Sequence, residues 1–297
     1  MDHPFHDGEL EIQRRAGVLD EARAVGRIVA SRVPAGAARF LAGQRLAVAS
    51  SLEAGGRVWA SLLSGPAGFI SAVDAELLRL ATQPAESDPL ARNLRARPEL
   101  GLLVLDPWTR QRMRFNGRGL LSPEGVFLLV RQAYGNCPKY IHRRRLSAAD
   151  GPLHAAEPQV GAVLTPRQQA WIAAADTFFI ASFHPQGGAD ASHRGGPAGF
   201  VQVLGPSRLA FADYPGNNMF NTLGNLSVYP QAGLLFVDFV SGDLLQLAGR
   251  ARVEPDFSVV FEVDEVRAAA FTASAQTSEE LMKKVEGHSV KAAIRSR

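Results

Sequence analysis

One block of this sequence occurs twice, and that repeat limits the fold more than any other feature. Ser61, Gly65, Pro66, Ala67, Gly68 and Phe69 recur as Ser192, Gly196, Pro197, Ala198, Gly199 and Phe200, an offset of 131 residues (192 minus 61). Further on, Asn93, Leu94 and Pro98 recur as Asn225, Leu226 and Pro230, at 132 (225 minus 93). The same 132 carries Gly101, Asp106, Gly117 and Arg118 onto Gly233, Asp238, Gly249 and Arg250. A register held over that much chain marks an internal duplication, with one residue gained or lost between the two blocks.

Each copy reads as β-rich. Residues 46–50 and 178–182 are short apolar runs, followed by Gly55-Gly56 and Gly187-Gly188, which suit hairpin turns. Residues 100–106 and 233–240 are strand-length apolar runs, with 113–121 and 244–253 as their partners. Short strands at close spacing with glycine punctuation favour a barrel. Residues 74–80 look helical alone, but their counterpart Gly205-Pro206-Ser207 is a turn, so the reading is turn and then strand. Helices are expected at 17–31, at 167–175 behind the cap pair Thr165-Pro166, and from Ser278-Glu279-Glu280. Residues 147–164, rich in Ala, Gly and Pro, read as the linker. The fold class is therefore mainly β with flanking helices (α+β). An N-terminal helix and first barrel fill 1–150, a second barrel 151–270, and a helical tail 271–297.

Composition excludes several alternatives. Of 297 residues, 46% are hydrophobic and 21% charged, which supports a packed core and argues against disorder. No apolar run reaches the roughly eighteen residues of a membrane helix, and the polar start has no signal-peptide pattern. A cytoplasmic protein is the expectation. The single cysteine, Cys137, rules out an intrachain disulfide or a cysteine-based zinc site. A net charge of +3 is too small to argue for nucleic acid and suits an anionic ligand.

The copies differ where a ligand would matter. Leu62-Leu63 in the first becomes His193-Arg194 in the second. Residues 82–88 are replaced by Asp213-Tyr214-Pro215-Gly216-Asn217-Asn218, leading into a helix-like stretch that Asn217 or Asn218 would cap. An arginine fork beside a helix N-terminus makes a phosphate cradle. Taken singly, a strand arginine is more often a solvated surface residue and an Asn-rich turn only a turn; the coincidence in one copy points to a site.

These residues resemble the pyridoxamine 5′-phosphate oxidase-like FMN-binding split-barrel family, in its tandem two-barrel type. The matching segments are Phe5-His6-Asp7-Gly8-Glu9, residues 134–141, Ser192-His193-Arg194-Gly195-Gly196, residues 213–217 and residues 222–226; the tail from about Phe271 does not match. The resemblance implies a six-stranded split barrel per copy and FMN bound between two barrels, paired within the chain or in a homodimer. It implies phosphate contacts from Arg194, Asn217, Asn218 and Asn221, with Ser192 and His193 beside the ring. Gln246, on a strand that meets a flavin edge from a neighbouring barrel, is a further candidate, as is Lys139. An oxidoreductase acting on a small molecule is implied, with NAD(P)H or another electron donor as a partner. A non-catalytic flavin carrier or sensor, and a haem protein using His193 or His184 as axial ligand, remain as alternatives. His3 and His6 are weak candidates for metal, and no metal is expected. Arg143-Arg144-Arg145 reads as a solvated face, and no zinc-protease, P-loop, Rossmann or nucleophile-elbow motif occurs.

Overall fold

The computed structural model describes residues 3–144, 153–155, 157–273 and 287–296. The first copy contributes β1 (Leu46–Leu52), β2 (Val58–Ser64), β3 (Ile70–Ala72), β4 (Leu77–Leu80), β5 (Glu99–Asp106), β6 (Gln111–Ser122) and β7 (Gly125–Gly135). They form one antiparallel sheet in the order β2-β1-β5-β6-β7-β4-β3. After β8 (Leu153–Ala155) and β9 (Gln159–Gly161), the second copy repeats the plan with β10 (Thr177–His184), β11 (Gly188–Gly195), β12 (Val201–Gly205), β13 (Arg208–Phe211), β14 (Gln231–Val237), β15 (Leu244–Val253) and β16 (Val259–Ala269). Its order, β11-β10-β14-β15-β16-β13-β12, is the same path 7 strands long, with β9 added beside β16. These are two tandem split barrels. Where the resemblance implies six strands, seven are found, because the short hairpin after each Gly-Pro-Ala-Gly-Phe block adds β3 and β12.

The hairpin glycines behave as expected: Gly56 and Gly188 have φ of +93° and +81°, which favours a residue without Cβ. The duplication extends to irregularities. A β-bulge places Arg131 of β7 opposite the Asn116–Gly117 step of β6, and its counterpart places Asp264 of β16 opposite the Ala248–Gly249 step of β15.

Three apolar clusters hold the molecule together. One lies inside the first copy, around Leu63, Ile70, Leu102 and Phe115. The second lies inside the second copy, around Phe178, Leu234, Phe236 and Phe261. The third joins the copies, with Val48, Ala60 and Leu103 against Phe179, Ala181 and Leu235. The join is close enough to dictate residue type. A Cβ on Gly101 would lie 2.6 Å from the Ala189 carbonyl oxygen, and one on Gly233 would lie 2.7 Å from the Val58 carbonyl oxygen. The duplicated glycine therefore lets each barrel press a strand backbone onto the other, and the two pair within one chain.

The helices refine the sequence reading. α1 (Asp7–Arg15) opens with a capping box between His6 and Glu9. The helix expected at 17–31 is shorter, α2 (Leu19–Gly26), followed by α3 (Ala37–Ala42). α4 (Pro89–Ala96) and α6 (Asn221–Val228) are counterparts in the two copies. α5 (Pro166–Ala174) starts at Thr165 with the expected cap. The linker is not wholly irregular, since β9 pairs with β16. β17 (Phe271–Ala273) pairs with β8. The helix expected from Ser278 falls outside the described residues. α7 (Gly287–Arg295) returns to the first copy, burying Ile294 against Leu77 and Phe127 and placing Lys291 2.7 Å from Asp74.

Candidate functional site

The residues expected to hold a cofactor are Ser192, His193, Arg194, Asn217, Asn218, Asn221, Lys139 and Gln246, and all but the last line one cleft of about 320 Å³ between the copies. β11 supplies Ser192, His193 and Arg194, the loop into α6 supplies Asn217 and Asn218, and α6 itself begins with Asn221. The opposite wall is β6 of the first copy, which adds two residues that sequence reasoning missed, Arg112 and Arg114.

Three guanidiniums thus share one cleft. Arg194 pairs with Asp213. Arg114 donates to Asp190 at 3.1 Å, to Ser192 Oγ at 2.6 Å and to Asn221 Oδ1 at 3.3 Å. Arg112 donates to the Cys137 carbonyl at 2.7 Å and lies 3.2 Å from His193 Nδ1. Burial, then the positive charges of Arg114 and Arg194, lower the Arg112 pKa to about 9. His193 is held neutral for the same reasons, burial first and then Arg112 and Arg194. Burial is the largest single influence on Arg114 and works against its charge, but Asp190 and Tyr134 together outweigh it and the pKa rises. The buried Nε atoms of Arg112, Arg114 and Arg194 have no hydrogen-bond partner. Buried charged donors rarely stay unsatisfied, so three donors of this cleft are left without a counterpart.

The first turn of α6 points the same way. The residue before it, Phe220, is left-handed at φ 56° and gives no side-chain cap. The capping role expected of Asn217 or Asn218 is therefore not filled. Asn217 Oδ1 instead accepts from the Met219 N–H at 3.2 Å, and Asn218 is itself left-handed at φ 62°. The side chain of Asn221 is spent on Glu9 and Arg114 rather than on capping its own helix. Tyr140, Asn218, Phe220 and Phe257, which all line this cleft, have positive φ, and Arg110 is the other such non-glycine among the described residues. Strained backbone gathers at sites of this kind.

The equivalent place in the first copy is closed. Asp88 occupies the position of Phe220, 132 residues earlier, and caps α4 through the Leu90 N–H at 2.8 Å. Its two oxygens accept from Ser61 Oγ at 2.6 Å and from Gln246 Nε2 at 3.0 Å. A protein carboxylate thus sits at that helix start. Trp59, 1% exposed, stands where the second copy has Asp190, with the Arg267 guanidinium 5.8 Å from its ring centre. This corrects the assignment of Gln246. Its strand crosses the closed site, where it also donates to the Ala60 carbonyl at 2.9 Å. The residue that enters the open cleft is its repeat partner Arg114, found by subtracting 132.

A buried network forms the floor. Asp190 accepts from Arg114 and, at 3.0 Å, from Asn116. Glu9 of α1 accepts from Asn221 and from the His6 N–H at 2.9 Å. α1 can deliver Glu9 there because Gly8 and Gly224 let the two helices touch; a Cβ on Gly8 would lie 2.3 Å from the Gly224 carbonyl oxygen. Burial raises the Glu9 carboxyl from 4.5 to about 7. Burial and the neighbouring His184 lower His6 from 6.5 to about 4. The signs oppose. The folded state holds a Glu9 proton that the unfolded chain releases between about pH 4.5 and 7, so this term falls as pH rises. The unfolded chain holds a His6 proton that the folded state lacks between about pH 4 and 6.5, so that term grows. Each is roughly 3 kcal/mol at 1.36 kcal/mol per unit. Glu9→Gln removes the first and leaves the second. Urea melts should show its stability rising from pH 4.5 to 7 by about 3 kcal/mol relative to the parent. Parallel curves would refute the burial-shifted carboxyl.

The remaining candidates fall elsewhere. His6, Asp7 and His184 come together, with the two rings stacked 3.7 Å apart. His184 Nδ1, however, accepts from the N–H groups of Gln186 and Gly187 at 3.2 and 3.0 Å, so its hydrogen is on Nε2, aimed at Asp7. A protonated nitrogen cannot ligate a metal or a haem iron. Arg144 of the basic run pairs with Asp176 at 2.6 Å and covers Phe239, so it is structural rather than merely solvated; Arg145 lies outside the described residues. No described helix is long and apolar enough to cross a membrane.

No curated protein matches the chain. Among solved structures, HupZ of Group A Streptococcus aligns at 12% identity over 34% of this chain and 89% of its own, with a TM-score of 0.28. A structure titled F420 reductase aligns at 11% identity over 36% of this chain and 96% of its own, with a TM-score of 0.24. Scores this low add nothing to the assignment. The model of the pyridoxamine 5′-phosphate oxidase family matches twice, at residues 34–154 and 164–290. The chain therefore belongs to the pyridoxamine 5′-phosphate oxidase family, as a tandem duplication of its barrel.

Proposed function

We propose that the chain is an FMN-binding flavoprotein with one cofactor cleft, formed by the second copy and completed by Arg112 and Arg114 of the first. The observation that carries this reading is the three guanidiniums, Arg114 buried and Arg112 and Arg194 half-buried, whose buried Nε atoms have no partner, beside the uncapped start of α6. Those groups fit a phosphate dianion. Arg194, Arg112 and the first-turn N–H groups of α6 would hold it, with Lys139 at the rim. His193, neutral and packed edge-on against Phe179, would line the ring pocket as a hydrogen-bonding group rather than a cation. Bound FMN supplies hydride or single-electron transfer, while the protein orients it and sets its electrostatics. Oxidation or reduction of a small molecule is the activity that follows, with NAD(P)H as one candidate donor.

The haem alternative is less well supported. His184 has both ring nitrogens engaged, and His193 Nδ1 faces Arg112.

The phosphate makes the reading testable. The protein should bind FMN at least 30-fold more tightly than riboflavin, as fluorescence quenching would report, since charge-assisted bonds contribute about 1.5–3 kcal/mol each. Equal affinities would remove the guanidinium cluster from the site.

A further inference from the structure

A second cleft lies on the far side of the Arg114–Asp190 wall and has the opposite chemistry. It is lined by Glu9, Glu99, Asn116, Arg118, Arg131 and Asp190, among others. Three buried polar atoms in it have no partner: Asn116 Oδ1, Glu99 Oε2 and Arg118 Nε. Asn116 is 5% exposed and its amide nitrogen is committed to Asp190, so its carbonyl oxygen is a fixed acceptor awaiting a donor. In the cofactor cleft the orphaned atoms are mostly arginine donors; here two of the three are acceptors, with the Asp190 carboxylate beside them.

The placement has a structural cause. A bulge in β7, opposite Asn116 and Gly117 of β6, leaves Arg131 unpaired in the ladder, between Val130, which pairs with Gly117, and Gln132, which pairs with Asn116. Bulges re-aim side chains in this way. Arg118 and Glu99 are cross-strand neighbours on β6 and β5. The cleft thus has acceptors at one end and two arginines at its border.

We propose that this cleft binds a small zwitterion, with an ammonium group on Asn116 Oδ1 and the Asp190 carboxylate and an acidic group on Arg118 and Arg131. The site is distinct from the cofactor cleft but shares its wall: Asp190 faces the zwitterion while its partner Arg114 faces the phosphate site. Occupation of one cleft therefore alters the charge balance of the other.

The test is calorimetric titration of the full chain with glycine, β-alanine, γ-aminobutyrate and 5-aminovalerate, which vary the spacing between amine and carboxylate. Butylamine and butyrate are the one-ended controls. One member of the series should bind at least ten-fold more tightly than either control. Arg118→Gln should reduce that member to the affinity of butylamine while leaving butylamine unchanged. Asn116→Leu should weaken both. The heat is read without flavin, so failure here is separable from failure of FMN binding. No binding by any member, or binding that Arg118→Gln leaves unchanged, overturns the assignment.

Discussion

Asp190→Ala should be the most damaging single change at the site, lowering stability by about 3–5 kcal/mol. Arg114 and Asp190 are 7% and 3% exposed, and their 3.1 Å pair is enclosed by Asn116, Ser192 and Tyr134. Removing the carboxylate leaves a buried guanidinium with its chief counter-charge gone. At 2–4 °C per kcal/mol the melting point should fall by about 10 °C. Because Arg114 also lines the cofactor cleft, added FMN should recover more stability in this variant than in the parent. Asp190→Asn, which keeps an acceptor, should cost less than the alanine change. A loss under 1 kcal/mol in Asp190→Ala would mean that the pair does not anchor the floor.

Arg194→Ala should have the largest effect on cofactor affinity. Truncating one member of a buried, hydrogen-bonded charge pair costs about 2–5 kcal/mol, or about 30-fold to several thousand-fold in Kd. The effect should fall at the upper end. Besides losing a phosphate donor, the variant frees the Asp213 carboxylate, which lines the same cleft. The double variant Arg194→Ala with Asp213→Asn should therefore bind FMN better than the single one. Riboflavin affinity should change little in either. An unchanged FMN affinity in Arg194→Ala would place the phosphate elsewhere.

The sequence was most informative where a rule is local or periodic. The repeat offset showed that the second sheet would follow the plan of the first, because a duplicated fold keeps its register. The Thr165-Pro166 start of α5 was readable because capping depends on residues three apart. The α6 start was not, because the loop reaches it through two left-handed residues, Asn218 and Phe220, rather than through an asparagine cap. Arg194 was visible as a difference between the copies. Arg114 was hidden, since its role depends on which barrel faces which. Gln246 was assigned to the cleft of the second copy, which it does not line. The residue 132 positions earlier, Arg114, does. The return of α7 onto the first copy could not be foreseen either, as it rests on contacts between ends of the chain more than 150 residues apart.

The measurement that bears most directly on the account is the stoichiometry of FMN on the full chain. It is read by releasing and quantifying flavin after saturation and by recording the visible spectrum. One FMN per chain is expected, lost in Arg194→Ala at low micromolar flavin, because Asp88, Gln246 and Trp59 close the first copy. Two FMN per chain would contradict the closed first site, and a protein that takes up none would contradict the flavin reading itself.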